Sequence, residues 1–95
     1  MEILEVVNQR SEEVNTMLWS LYPNPTSDQL TITFDTLIDS GEVMITDQLG
    51  RCIEDRIIAK QSEFILNVHN YEPGVFYIRV STGDRLVYID KFIVK

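Results

Sequence analysis

Several residue types that carry chemistry are scarce in this chain of 95 residues. It contains one cysteine, one histidine and four glycines, and its eight basic residues are outnumbered by fifteen acidic ones. A single cysteine, Cys52, allows no intramolecular disulfide, and a single histidine, His69, excludes a histidine-based metal cluster. The formal charge of −7, with scattered Lys and Arg, argues against nucleic-acid binding, which needs clustered cations to neutralise phosphates.

Long apolar runs and the features of a signal peptide are missing as well. No stretch reaches the ~20 apolar residues that a membrane-spanning helix needs, so we predict no membrane span. Residues 1–17 are acidic and lack the basic start and apolar centre of a secretory signal. We interpret 1–17 as a linker or the tail of a preceding region and 18–95 as one domain. Export would then require a Sec signal upstream of this chain.

No group of side chains indicates an enzyme. Serines and threonines are plentiful, but none has a suitably placed His or Lys to activate it. The four glycines do not form a phosphate-binding loop. Asp35, Asp39 and Glu42 could offer oxygen ligands to calcium, but they lack the dense spacing of a dedicated loop. We therefore predict a non-catalytic domain without a cofactor or a metal.

The pattern from residue 18 onward is the alternation expected of β-strands. Apolar residues recur at every second position, with mostly polar residues between them, in stretches around 30–34, 43–45, 64–68 and 76–80. Turn signals at 47–51, 70–74 and 82–85 separate these stretches, at the spacing of about 8–12 residues that is typical of a sandwich. The sequence predicts an all-β, immunoglobulin-like antiparallel β-sandwich of six to seven strands, without the Cys–Trp–Cys core of a true immunoglobulin domain.

The last strand interrupts its own alternation. Asp90 and Lys91 stand side by side between two apolar pairs. Keeping all four apolar residues on one face requires a slip of one residue, so we predict a β-bulge near Asp90. The four residues are Val87, Ile89, Phe92 and Val94.

Four stretches of this chain, in order, resemble the type A C-terminal sorting domain of type IX (Por) secretion in Bacteroidetes. They are LYPNPTSDQLTI at 21–32, VMITDQLGR at 43–51, YEPGVFYIRV at 71–80 and KFIVK at 91–95. Two positions depart from the family's pattern. Tyr77 follows Phe76 where the family usually places the tyrosine first, and Tyr71 stands in place of the usual leucine.

The resemblance implies a signal domain. Such a domain is exported to the periplasm by Sec, is recognised by the outer-membrane translocon, and is usually removed by a sortase-like protease that cuts the linker. The cargo then stays at the cell surface or is released. The expected recognition residues are those of the basic, apolar C-terminal stretch: Lys91, Phe92, Ile93, Val94 and Lys95.

Two further sets of residues are expected to matter. The prolines push Tyr22 and Asn24 toward extended conformations, so the opening motif is either a second contact or only a rigid turn; its residues are Tyr22, Pro23, Asn24 and Pro25. Gly50 and Gly74 are expected to be structural, because their turns need backbone conformations that other residues resist.

Alternatives remain open at this point. The chain could be a free-standing adhesion or carbohydrate-binding module, with Tyr77 and Tyr88 as exposed aromatic platforms, or a spacer domain. Lys91 and Lys95 share one side of a regular strand, where they either meet a partner or protect an edge strand from aggregation. If the backbone of that end strand is unpaired, it can add to a partner sheet or to a second copy as an edge-strand homodimer.

Overall fold

The computed structural model describes residues 19–95, which form one antiparallel β-sheet curled into two layers. The strands are β1 (Trp19–Tyr22), β2 (Gln29–Thr46), β3 (Cys52–Asn67), β4 (Gly74–Thr82) and β5 (Val87–Val94). The described part of the chain contains no helix, and hence none long and apolar enough to cross a membrane. The predicted all-β class is confirmed. The predicted linker, 1–17, lies outside the described residues.

Strand β2 organises the sheet because it pairs with three others. One of its edges pairs with β3 from 29 to 46, and the opposite edge pairs with β1 at 31–34 and with β4 at 41–46. Strand β5 pairs with β4 and is the last strand on that side. The order along the sheet is therefore β1-β2-β4-β5, with β3 beside β2.

The long β2–β3 hairpin folds over near its middle, which creates the two layers. The pairing register shifts between Thr33 and Ile38. On the β3 side, the Arg56 guanidinium donates to the Ile65 carbonyl at 3.4 Å, so the strand has turned back on itself. Each long strand thus joins two of the predicted strands, which is why five strands replace the expected six to seven.

The core lies between the two layers and follows the predicted alternation. Its buried residues come from all of β2 to β5, and they include Leu30, Ile32, Ile45, Leu66, Ile78 and Phe92, each at 0% exposure. A fully buried side chain of this kind stabilises the fold by about 1.5–3 kcal/mol. Trp19 covers one end of the core, where its ring stacks on that of Phe34 at 5.9 Å.

The β-bulge predicted near Asp90 is wrong. Strands β4 and β5 pair without a register shift from Gly74–Val94 to Ser81–Val87. Regular alternation buries Tyr88 and leaves Val87 and Ile89, which the prediction had placed inside, 47% and 65% exposed. Asp90, on the edge strand β5, shares the parity of the buried residues but is exposed. A charge in that position discourages a further strand from pairing there.

Candidate recognition site at the C-terminal strand

The opening motif and the C-terminal stretch lie side by side. After β1 the chain crosses to the other layer, where Thr26 forms a parallel bridge with Val94. The Thr26 amide donates to the Ile93 carbonyl at 2.9 Å, and its carbonyl accepts from the Lys95 amide at 2.9 Å. Residues 24–26 therefore run along the outer edge of β5. We call these bonds between 24–26 and 91–95 the clasp.

Asn24 completes the clasp with its side chain. Its Oδ1 accepts from the Ile93 amide at 3.0 Å, and its Nδ2 donates to the Lys91 carbonyl at 3.4 Å. The prolines on either side, Pro23 and Pro25, have no N–H to donate to a neighbouring strand. The carboxamide of asparagine offers both a donor and an acceptor, and here it bonds as a strand backbone would.

Thr26 anchors the clasp from inside. It is 2% exposed and is the one buried polar residue of the described range. Its Oγ1 donates to the Gln29 carbonyl at 2.6 Å and accepts from the Asp28 amide at 3.4 Å. The buried hydroxyl thus fixes the short turn that leads from the opening motif into β2.

The structure divides the five residues expected to be recognised. Phe92 and Val94 are buried, at 0% and 3% exposure. Lys91 and Lys95 are exposed, and Ile93 is 42% exposed. Only these last three side chains are available to a partner.

The unpaired edge considered for 91–95 is not present. On the edge of β5 that faces away from β4, residues 24–26 bond to the carbonyls of 91 and 93 and to the amides of 93 and 95. The Lys91 amide donates to Oδ1 of Asp90 at 2.8 Å. A partner strand could pair with this part of β5 only after displacing 24–26.

The turn at 47–51 is held by its own side chains. Oδ1 of Asp47 accepts from the amides of Leu49 and Arg51 at 2.8 and 2.9 Å, and Oδ2 accepts from the Arg51 guanidinium at 2.6 Å. Burial acts to raise the pKa of Asp47, but the bonds from Arg51 and Leu49 outweigh it and lower the pKa below its ordinary value. Gly50 completes the turn at a φ of +84°.

Tyr71 links the start of β3 to the core, a role that the sequence did not indicate. Its hydroxyl donates to Oε1 of Glu54 at 2.8 Å, and Oε2 of Glu54 pairs with Arg56 at 3.1 Å. Its ring packs on Phe76 at 5.0 Å. Burial, together with the hydrogen bond to Glu54 and its charge, raises the pKa of the Tyr71 hydroxyl. The 70–76 and 47–53 segments border an open cleft of about 550 Å³.

A second surface, which the sequence analysis missed, lies on the outward face of β4 and β5. We call it the cationic face, because Arg79, Lys91 and Lys95 point outward there by strand parity and are exposed. Tyr77 is paired with Lys91 across the two strands, and Ile89 with Arg79. If β5 had been interpreted as a regular strand without a bulge, its alternation would have placed Lys91 and Lys95 on the same face as Ile89.

The neighbouring face of β2 and β3 has the opposite charge. Glu42 and Asp55 point outward there, and both are exposed. The hydrogen bond with Asp55, then its negative charge, raise the pKa of Glu42, while Arg79 acts in the opposite direction. The outward side of this four-strand layer is therefore acidic on one half and cationic on the other.

The other candidate residues are not brought together. His69 is exposed and lies 4.0 Å from the Asp28 carboxylate, and Cys52 is exposed. Within 19–95 no three His, Cys, Asp or Glu side chains lie close enough together to hold a metal ion. Of the two proposed sugar platforms, Tyr77 is 41% exposed, whereas the prediction for Tyr88 is wrong because it is buried.

The chain is similar to known proteins in both sequence and structure. The family described as "Secretion system C-terminal sorting domain" matches residues 20–95. The ulvan lyase NLR42 of Nonlabens ulvanivorans is 36% identical over 74 residues, which are 78% of this chain but 14% of the lyase. A DUF3244-family protein from Bacteroides vulgatus, with an immunoglobulin-like β-sandwich fold, has a TM-score of 0.71 at 11% identity over 81% of this chain and 83% of that chain. This last likeness concerns the fold alone, and it confirms the predicted immunoglobulin-like sandwich.

Proposed function

Because the chain belongs to the family of secretion system C-terminal sorting domains, we propose that the secretion machinery recognises it through the exposed side chains of its terminal strand, Lys91, Ile93 and Lys95. A domain of this family carries the sorting signal that directs an exported protein to the cell surface or the medium. The domain acts as a sorting signal and not as a catalyst. The lyase relative shares only 14% of its length with this chain, so its activity is not carried over.

The clasp is the observation that supports this proposal. The last residues of a domain usually fray unless other groups hold them. Here Asn24 accepts from the amide of Ile93 and Thr26 donates to its carbonyl. Lys91 and Lys95 stand outward on one face, with their backbone positions roughly 13 Å apart at the rise of a β-strand. A receptor would therefore meet two lysines whose backbone positions are held at a defined spacing.

The opening motif has a positioning role in this scheme. Its asparagine holds β5, and its prolines set the path by which the chain crosses between layers. Tyr22 is half-exposed, but recognition does not require it to touch the machinery. Of the two alternatives for the opening motif, we therefore adopt the rigid turn, and we propose that only β5 contacts the machinery.

Removal of the domain by a sortase-like protease is part of the proposal. Proteases cut extended, accessible backbone, whereas Trp19–Tyr22 is already paired with β2. We place the cleaved bond before Trp19, in the segment interpreted as a linker. Transit through the periplasm, after Sec export directed by an upstream signal, precedes this step.

The test uses all 95 residues fused behind a Sec signal and a fluorescent cargo in a host with type IX secretion. Deleting 91–95 would not separate recognition from folding, because it removes Phe92 and Val94 from the core. The variant Lys91→Glu/Lys95→Glu changes only exposed side chains. We expect its cargo to be retained in the periplasm.

The matched control is Lys60→Glu, an exposed lysine where β3 folds over, remote from the clasp. It should be exported like the unchanged chain. Normal export of Lys91→Glu/Lys95→Glu, with its circular dichroism unchanged, would refute recognition through these lysines.

A further inference from the structure

The cationic face extends well beyond the terminal stretch. Ile89 is 65% exposed and is the most exposed large apolar residue on β4 and β5, and Tyr77 is 41% exposed. Arg79 stands across from Ile89 on the neighbouring strand. Three cations therefore lie on the same face as exposed apolar side chains that neither the core nor the clasp uses.

The charge of this face contrasts with that of the whole chain. Acidic residues outnumber basic ones by fifteen to eight. The outward positions of β4 and β5 nevertheless include no carboxylate, since Asp90 has the opposite parity. The acidic residues of the same layer, Glu42 and Asp55, lie on β2 and β3. A surface with this composition is complementary to an acidic partner.

We propose that the whole cationic face, and not only the end of β5, docks on an acidic and apolar protein surface of the secretion machinery. This inference rests on the proposed function and names the chemistry of its partner. The partner surface offers carboxylates to Arg79, Lys91 and Lys95, and apolar side chains to Ile89 and Tyr77. Arg and Tyr are enriched among the residues that dominate binding energy, and protein interfaces combine apolar contacts with polar and charged ones.

An anionic bilayer is the other surface that three cations would attract. Each basic residue near such a bilayer contributes about 1 kcal/mol, so three give weak binding. The formal charge of −7 and the exposed Glu42 and Asp55 on the same side of the layer oppose the approach of an extended anionic surface. A protein patch needs complementary charge only at the cationic face itself, because charges farther away than the Debye length of about 8 Å are largely screened. The charge distribution therefore favours a protein partner.

The test uses the same secretion assay with all 95 residues and the variant Arg79→Gln/Ile89→Thr, which leaves Lys91 and Lys95 intact. The replacements suit an exposed strand, and circular dichroism with thermal unfolding checks that the domain is folded. The matched control is Arg85→Gln/Ile57→Thr, because Arg85 is exposed in the β4–β5 turn and Ile57 is 75% exposed on the acidic half of the layer. We expect export of the first variant to fall about tenfold and that of the control to change less than about twofold.

The outcomes separate this inference from the proposed function. If Arg79→Gln/Ile89→Thr is exported like its control while Lys91→Glu/Lys95→Glu is retained, the wider face is refuted and recognition at the terminal strand stands. If both variants are exported normally, both proposals fail. Sedimentation with vesicles of equal phosphatidylglycerol and phosphatidylcholine tests the lipid surface. Binding that Arg79→Gln/Ile89→Thr abolishes would overturn the protein partner.

Discussion

The two ends of the sandwich differ in how well their residue types suit their backbone. The clasp end contains the turns at 47–51 and 70–74, and its positive-φ positions are Gly50 (+84°) and Gly74 (+153°). The other end, which we call the bend end, contains the fold-over of β2 and β3 and the β4–β5 turn. Its positive-φ positions are Lys60 (56°) and Arg85 (72°). A side chain in the left-handed region costs about 1–2 kcal/mol, so the clasp end is the less strained of the two.

This difference shows where the sequence specifies the structure most closely. All four stretches that resemble the sorting-domain family contribute to the clasp end, through the clasp itself and the two glycine turns. The bend end instead holds two non-glycine residues, Lys60 and Arg85, at positive φ, which costs conformational free energy. A recognition role at the clasp end would account for this asymmetry, since a docking surface needs a defined geometry.

The largest expected effect is on the buried anchor of the clasp. Thr26→Val keeps the volume but removes the hydroxyl that bonds to Gln29 and Asp28. We expect the free energy of unfolding in urea to fall by about 1–3 kcal/mol. Thr36→Val, at an exposed position of the bend end, is the control and should change it by less than about 0.5 kcal/mol. Equal effects at the two threonines would remove the distinction between the ends.

The glycines of the clasp end come next. Gly50→Ala and Gly74→Ala should each lower the free energy of unfolding by about 1–2 kcal/mol. A Cβ at Gly50 meets no atom within 4 Å, and one at Gly74 would lie 3.8 Å from Gln48, so the cost comes from the backbone conformation and not from a clash. Thermal and urea unfolding measure the change. Unchanged stability of both variants would show that these turns relax.

The reverse exchange at the bend end sharpens the comparison. Lys60→Gly and Arg85→Gly remove the cost of holding a side chain at a left-handed backbone position, although glycine also adds entropy to the unfolded chain. The balance is a gain of about 0.5–1 kcal/mol in the free energy of unfolding for each variant. Loss of stability in either would mean that the bend end is not the strained one.

The smallest effect concerns pH at the 47–51 turn. The pKa of Asp47 is lowered in the folded chain, so its bonds stabilise the turn above about pH 4 and are lost as the pH falls through the lowered pKa. Asp47→Asn should therefore be less stable than the unchanged chain at pH 7, with the difference shrinking toward pH 2. The amide resonances of Leu49 and Arg51 report the same transition by NMR. A difference that grows on acidification would contradict the assignment.

Much of the fold could be predicted because alternation has one physical cause. Leu30, Ile32 and Phe34 are buried as expected, since every second side chain of a half-buried strand faces the core. The prediction for β5 was wrong because it assigned Val87 and Ile89 to the core for being apolar. An edge strand can expose apolar residues on its outward face, and the sequence pattern alone does not distinguish them from core residues.

The clasp could not have been predicted in the same way. Asn24 and Ile93 are 69 residues apart, and no local pattern indicates that a side-chain amide will bond to a distant strand edge. The number of strands was also set by distant contacts. Whether a strand ends or bends between residues 34 and 38 depends on the layer against which each half packs.

The sequence by itself determined the β-only class, the buried alternation, the glycine turns and the family motifs, because each depends on neighbours a few residues apart. Only the tertiary structure decided that the two outer motifs lie side by side, that two of the five residues of the terminal stretch belong to the core, and that three cations share a face. Those outcomes depend on register and on the packing of the two layers, which join residues from opposite ends of the chain.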